Sequence, residues 1–402
     1  MIQISTLSKN IFKETIMKLQ KSAKTFVVGL GLSVGLLAGA SAETLKIGVI
    51  AALTGGAAPW GMAAAEGAKI AAAAANAKGG LDVGGKKYQV EVVAYDDQYK
   101  AADAVAAYNR LVRQDGAKYV IIMSSAGALA LKQNIEDDKI IGLTSSYSAK
   151  AIDANSRYMF RLFSVSSDYL PAMIGWMKAN YKERRVFMLN PNDETGWDQT
   201  QVSGRLFKQN GYEVIGQDLY ERTVKDFQPI FTKIIAMKPE MIDLGGTPPA
   251  TAGLMMRQAR EMGYKGLFMK TGGAGPRDIV AGAGKEAAEG MVSVLYADPN
   301  NEGYKRLAAE YKKSLGQEPN EIIVAFYDAT NVLLQAIQKA GDARDTTKVA
   351  AAFAKALPMK SAQGDLLALG GNTSAGAGQQ IISTNYIGVI KNGQPVVVGK
   401  AK

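Results

Sequence analysis

The fold is decided by Tyr119-Val120-Ile121-Ile122-Met123-Ser124-Ser125-Ala126-Gly127. Its unbroken apolar run, rich in β-branched residues, marks a strand buried on both faces, as in a parallel sheet. The serines and glycine that follow make a turn, residues 129–137 read as a helix, and 140–143 as another strand. Upstream, 45–50 is strand-like and 61–77 an Ala-rich helix. Tyr88, Val90, Val92 and Ala94 then alternate with polar residues, and Ala104, Tyr108, Leu111 and Val112 recur at helical spacing within 101–114. Strand–helix alternation of this kind predicts an α/β fold with a parallel sheet and right-handed crossovers. A second series begins near Arg185, with strands at 186–189, 214–219, 241–244 and 267–269 and helices between them. Two such series predict two Rossmann-like lobes, with Arg161 to Asp168 as a crossover between them. Three successive helices follow, at 302–315, 322–340 and 347–357, then a Gly-rich stretch at 364–378 and strands at 381–398 around Asn392-Gly393.

The chain has 402 residues, a formal net charge of +10, and neither cysteine nor histidine. Disulfides, thiolate nucleophiles, Cys- or His-ligated metals and the Ser-His-Asp triad are therefore excluded. Lys18, Lys21 and Lys24 precede an apolar stretch at 26–37 that ends in Ala40-Ser41-Ala42. This pattern predicts a cleavable signal peptide over residues 1–42, with 1–16 ahead of a better start at Met17. No cysteine stands at the cleavage site for a lipid anchor, so the expected location is the periplasm, with no membrane span. The basic residues are scattered, which argues against nucleic acid as a partner.

Motifs for catalysis fail in detail. Gly282-Ala283-Gly284-Lys285 lacks the Ser or Thr of a phosphate loop. The acidic series from Asp298 reaches Ala309 where a calcium loop needs Glu. Asp96-Asp97 has no chemistry beside it in sequence and reads as structural. No enzyme and no cofactor are expected. What remains is a set of hydroxyl- and glycine-rich loops after strands, where open parallel sheets bind ligands. Three stand out: 53–58 leading to Trp60, Ser124 to Gly127, and Thr144 to Ser148. Ser125 sits at a helix N-terminus, where unpaired N–H groups and the dipole favour a carboxylate.

An ordered series of short motifs is similar to the leucine/isoleucine/valine-binding proteins over nearly the whole chain after the leader. It includes Lys46-Ile47-Gly48-Val49, Trp60-Gly61, Asn76-Ala77-Lys78-Gly79-Gly80 and Tyr95-Asp96-Asp97. It continues with Gly245-Gly246, Met256-Arg257-Gln258-Ala259-Arg260, Glu289-Gly290-Met291 and Tyr327-Asp328-Ala329. The resemblance implies a type I periplasmic binding protein: two lobes joined by three crossings, closing on a solute for an ABC permease and its ATPase. It implies lobe 1 as 43–163 plus 294–378 and lobe 2 as 164–293 plus 379–402, with hinge positions near Phe163, Val294 and Gly378. It also implies a monomer.

Carried over by position, the resemblance makes Trp60 an aromatic packing on the ligand and Ser125 the carboxylate binder. Ser146 gives a backbone contact and Ser148 a hydroxyl contact. From the second lobe it implies Thr195, Thr247 and the 270–275 loop around Gly272, all recruited on closure. Where the family places a ligand-ammonium carboxylate, this chain has Lys270-Thr271-Gly272-Gly273-Ala274-Gly275, with no acid. An unpaired buried ammonium costs several kcal/mol. The expected ligand is thus a carboxylate without an α-ammonium, an aromatic or aliphatic acid, unless Asp168, Asp193 or Glu194 serves an amino acid. A periplasmic sensor subunit would share the same pocket, and a periplasmic enzyme is the least favoured class.

Overall fold

A computed structural model describes residues 43–370 and 378–401, so the expected leader lies outside the described residues. The first lobe runs β1 (Glu43–Ala51), α1 (Ala58–Ala77), β2 (Leu81–Val83), β3 (Lys86–Asp96), α2 (Ala101–Asn109), β4 (Tyr119–Ile122), α3 (Ser125–Asp137), β5 (Ile141–Thr144) and β6 (Met159–Arg161). Its six strands lie in the order β2-β3-β1-β4-β5-β6. β1, β4, β5 and β6 are parallel, with Val49 opposite Ile121 and Ile121 opposite Leu143. All four residues of β4 are buried, as the apolar run requires.

The second lobe runs α4 (Ser166–Asn180), β7 (Arg185–Pro191), α5 (Glu194–Gln209), β8 (Glu213–Tyr220), α6 (Gln228–Ala236), β9 (Met241–Asp243), α7 (Pro249–Glu261), β10 (Leu267–Lys270), α8 (Pro276–Ala283), α9 (Lys285–Ala288) and β11 (Val292–Leu295). The chain then forms α10 (Glu302–Leu315), α11 (Ile323–Ala340), α12 (Thr346–Ala356), β12 (Met359–Lys360), β13 (Leu366–Leu369), β14 (Ile381–Ile382), β15 (Asn385–Lys391) and β16 (Gln394–Ala401). The second sheet has seven strands in the order β16-β15-β11-β10-β9-β7-β8. Strands β7 to β11 are parallel, and β15 and β16 add an antiparallel edge. The hairpin between them turns on Asn392 and Gly393, both at positive φ, as two-residue hairpin turns prefer.

The alanines of α1 are explained by α11, which packs along it. A Cβ on Gly67 would stand 3.0 Å from the Ile323 carbonyl and 3.1 Å from Phe326 Cβ, so only small residues allow this approach. The chain thus returns to the first lobe after β11. The expected Val294 crossing is corrected: Val294 lies inside β11, paired with Ile387 of β15, and the chain leaves the second sheet only after Leu295. The third boundary, set at 378/379, is corrected too. Gln380 still bridges Arg161 of β6, so the chain passes to the second sheet at 383–384. With the stretch at 162–165, these crossings lie side by side: the Ser164 hydroxyl donates to the Ser383 carbonyl at 3.0 Å and accepts from Ser383 N–H at 3.0 Å. No helix among the described residues is long and apolar enough to cross a membrane.

Candidate functional site

Each sheet has one point where the strand order reverses. In the first it falls between β1 and β4, in the second between β7 and β9. Such switch points leave a crevice at the strands' carboxyl ends. The loops from those ends, with the 145–148 loop and the 270–275 loop, enclose one cavity of about 20 Å³, room for about one water. Trp60, Tyr99, Met123, Ser145, Tyr147 and Phe163 line it from the first lobe, Thr195, Gly246 and Gly273 from the second, and Ile322 from the start of α11.

Bonds cross the cavity directly. Trp60 Nε1 donates to the Ala274 carbonyl at 2.8 Å, and Gly273 N–H donates to the Tyr147 hydroxyl at 3.1 Å. The Tyr99 and Thr195 hydroxyls share a 2.8 Å bond, and the Arg222 guanidinium stands 3.9 Å from the Tyr99 ring centroid. Tyr147 also bonds Tyr296, and Tyr169 reaches the Thr271 carbonyl at 3.1 Å. Burial raises the pKa of Tyr147, and of Tyr169 and Tyr296 well above the usual phenol value, so all three stay neutral hydroxyls.

Two adjacent serines divide their roles. Ser124 caps α3 by accepting from Gly127 N–H at 3.0 Å and donates to buried Asp97 at 2.9 Å. Ser125 is thereby released from capping, and its hydroxyl accepts from Tyr147 N–H at 3.2 Å. Asp96 ties the 53–54 loop to β3 through Leu53 N–H and the Thr54 hydroxyl. The acidic pair is thus structural.

Of the expected ligand contacts, Trp60 and Thr195 are in the cavity wall; Ser125, Ser146, Ser148, Thr247 and Gly272 are not. The Ser146 and Ser148 carbonyls accept from the buried Arg161 guanidinium at 2.9 and 2.7 Å. Their hydroxyls accept from Ser148 N–H and Lys150 N–H, which shapes the loop. Gly272 faces away from the cavity, since its Cβ would stand 2.5 Å from Gln199 Oε1. Thr247 is fully buried one residue behind Gly246. Gly273 of the expected 270–275 loop is in the wall, whereas sequence reasoning missed Tyr99, Met123, Phe163, Gly246 and Ile322 and did not single out Tyr147. The signal for Tyr147 was its place inside the Thr144 to Ser148 loop.

No acidic residue lines the cavity. Asp168 accepts from Val165 N–H and Gln380, and Asp193 pairs with Arg222 while capping α5. Beneath the wall lies a buried charged layer. Lys270 donates to the Gly245 and Gly272 carbonyls, and burial pushes its ammonium down to about 7, against the pull of Asp243. Burial pushes Glu321, which accepts from Gly275 N–H at 2.9 Å, up to about 7. Asp328 is raised to about 7 and Asp278 to about 6, also by burial.

These shifts fix a pH dependence that no histidine can obscure. The three raised acids hold their protons more tightly folded than unfolded, so their stabilisation is present at low pH and lost as pH rises through about 6 to 7. Lys270 is depressed, so its neutral form favours the fold at high pH, and that contribution is lost as pH falls through about 7. Melting temperature should therefore fall from about pH 5 to a minimum near pH 7 and recover above it. A scan with its maximum near neutrality contradicts this.

A family model described as periplasmic binding protein matches residues 44–395. The leucine-, isoleucine-, valine-, threonine- and alanine-binding protein of Pseudomonas aeruginosa is 28% identical over 316 residues, 78% of this chain and 83% of the relative. The crystal structure of a leucine-binding protein from Thermotoga maritima superposes with a TM-score of 0.76 at 24% identity, covering 89% of this chain and 99% of that one. An ABC-transporter solute-binding protein from R. palustris, solved with benzoate, gives 0.75 at 20% identity, covering 89% and 96%. The expected two-lobe α/β fold and the likeness to leucine/isoleucine/valine-binding proteins are both borne out.

Proposed function

Since the chain belongs to the periplasmic binding protein family, we propose that it is the exported receptor of an ABC importer, closing its lobes over a small carboxylate and presenting it to the permease. The observation that carries the ligand class is the cavity wall: aromatic rings, hydroxyls and glycines from both lobes, and no acid. An α-ammonium would find no counter-charge in that wall, whereas its rings and hydroxyls suit the body of an aromatic or aliphatic acid once the lobes open. The acid's carboxylate is assigned to the N-terminus of α3, where Ser125 and the first N–H groups of the helix lie behind Tyr147. Seating it there requires the Tyr147 side of the wall to give way, since the enclosed space is about 20 Å³. The relatives support both ligand types: the P. aeruginosa protein is named for amino acids, and the R. palustris structure holds benzoate.

A thermal-shift panel of aromatic acids, aliphatic acids and amino acids tests the reading. A true ligand at about 1,000 times its dissociation constant adds about 4 kcal/mol of stability. Acids should raise the melting temperature and branched-chain amino acids should not. Ser125→Ala should weaken the best acid about tenfold or more. A shift given by leucine alone, or a Ser125→Ala protein with unchanged affinity, sinks the carboxylate assignment.

A further inference from the structure

Beside the cleft, four polar atoms are sealed from solvent without a hydrogen-bond partner: both terminal nitrogens of Arg222, the Tyr220 hydroxyl and the Thr247 hydroxyl. They come from the ends of β8 and β9, the two strands that flank β7. Tyr220 closes β8, Arg222 follows it, and Thr247 lies just beyond β9 and next to Gly246 of the cavity wall. Tyr220 is 2% exposed and Thr247 0%. The stem of Arg222 reaches solvent, but its terminal nitrogens do not. Burial raises the Tyr220 phenol pKa, Arg222 and the Thr247 hydroxyl pull it down, and Tyr220 and Thr247 make no hydrogen bond of proper geometry.

A guanidinium keeps its charge, and N–H groups buried without acceptors are costly. Asp193 takes only the Nε of Arg222, and the Tyr99 ring covers one face of the plane. The remaining edge, with two hydroxyls next to it, suits a planar carboxylate, which accepts two parallel N–H bonds from such an edge. An amine there would meet like charge. Tyr99 belongs to the first lobe and lines the cavity, so Arg222 packs directly behind the cavity wall.

We propose that Arg222, Tyr220 and Thr247 receive a second carboxylate of the ligand, so that the cleft selects dicarboxylates over monocarboxylates. The proposal rests on the carboxylate reading above, with the first carboxylate at Ser125.

The test is isothermal titration of protein purified after export. The probes are aliphatic diacids of four to eight carbons and terephthalate, each against its monoacid counterpart. At least one diacid should bind on the order of 30-fold tighter than its monoacid, the scale of hydrogen bonds to a charged group. Arg222→Gln should erase that preference and leave monoacid affinity within about threefold. Tyr220→Phe and Thr247→Val should each weaken the diacid alone, by about fivefold, and they decide the matter if Arg222→Gln does not fold. Equal affinity for mono- and diacids in the parent protein overturns the proposal, as does an equal loss of both on substitution. Monoacid binding without a diacid preference removes this inference alone. Binding of an amine-bearing solute with no carboxylic acid bound removes the carboxylate reading as well.

Discussion

An Asp243→Ala protein is expected to lose about 3–5 kcal/mol of stability, the scale of three buried donors left without their acceptor. Asp243 closes β9 and is fully buried. Its Oδ1 accepts from Gly245 N–H at 3.0 Å and Thr271 N–H at 3.2 Å, and its Oδ2 accepts from the Thr271 hydroxyl at 2.6 Å. Through Thr271 it holds Gln199 and Ser203, and its charge supports the Lys270 ammonium. Alanine leaves these donors buried without an acceptor and removes the charge that favours the Lys270 ammonium. The damage falls on the floor of the 270–275 loop, which carries Gly273 and Ala274 across to Tyr147 and Trp60. Solute affinity should therefore fall with stability. Asp243→Asn keeps one acceptor and should cost less than half as much. Urea melts of the three proteins decide it, and a loss below about 1 kcal/mol for Asp243→Ala shows that the layer is not coupled as described.

The second large effect concerns two glycines that play one role in the two lobes. Gly61 in the first turn of α1 lies where a Cβ would stand 1.9 Å from the Ala52 carbonyl oxygen. Gly196 in the first turn of α5 lies where a Cβ would stand 1.8 Å from the Pro191 carbonyl oxygen. In each case the obstacle is backbone at a strand's carboxyl end, which cannot rotate away as a side chain can. Gly61→Ala and Gly196→Ala should each cost about 3 kcal/mol, the upper range for overpacking. Gly196→Ala should also move its neighbour Thr195 off Tyr99 and weaken solute binding beyond the loss of stability. Thermal melts alongside titration separate the two effects. A Gly196→Ala protein that melts within a degree of its parent refutes the close approach.

The strand–helix alternation was legible because β4 and its neighbours are buried on both faces and β3 is not. The hairpin at Asn392-Gly393 was legible because few other residue pairs take positive φ together. The site was legible only where a loop's composition is itself unusual. Trp60 and the Thr144 to Ser148 loop stood out, whereas Tyr99 and Phe163 look like ordinary core aromatics until the lobes are folded face to face. Sequence spacing could not say which of Ser124 and Ser125 caps α3. Asp97, arriving from the end of β3, fixes that by taking the Ser124 hydroxyl. Nor could a strand reading Leu267 to Lys270 announce that its last side chain is buried on two backbone carbonyls. The hinge positions were misplaced by a few residues because β11 and the Gln380 bridge extend pairing beyond the apolar runs that betray the strands.

Under the proposed receptor function, the bonds that Trp60, Tyr99 and Tyr147 make to the opposite lobe would also govern the speed of capture. A space of about 20 Å³ admits no organic acid, so on that reading solute would enter only molecules whose lobes have parted. The lobe-to-lobe bonds and the solute then compete for the same surfaces. The apparent dissociation constant exceeds the intrinsic one by the reciprocal of the parted fraction. The observed association rate rises with solute concentration only until it meets the rate of parting, and there it levels off. Each of these bonds thus trades affinity and capture rate against a resting state that keeps its aromatic interior out of water.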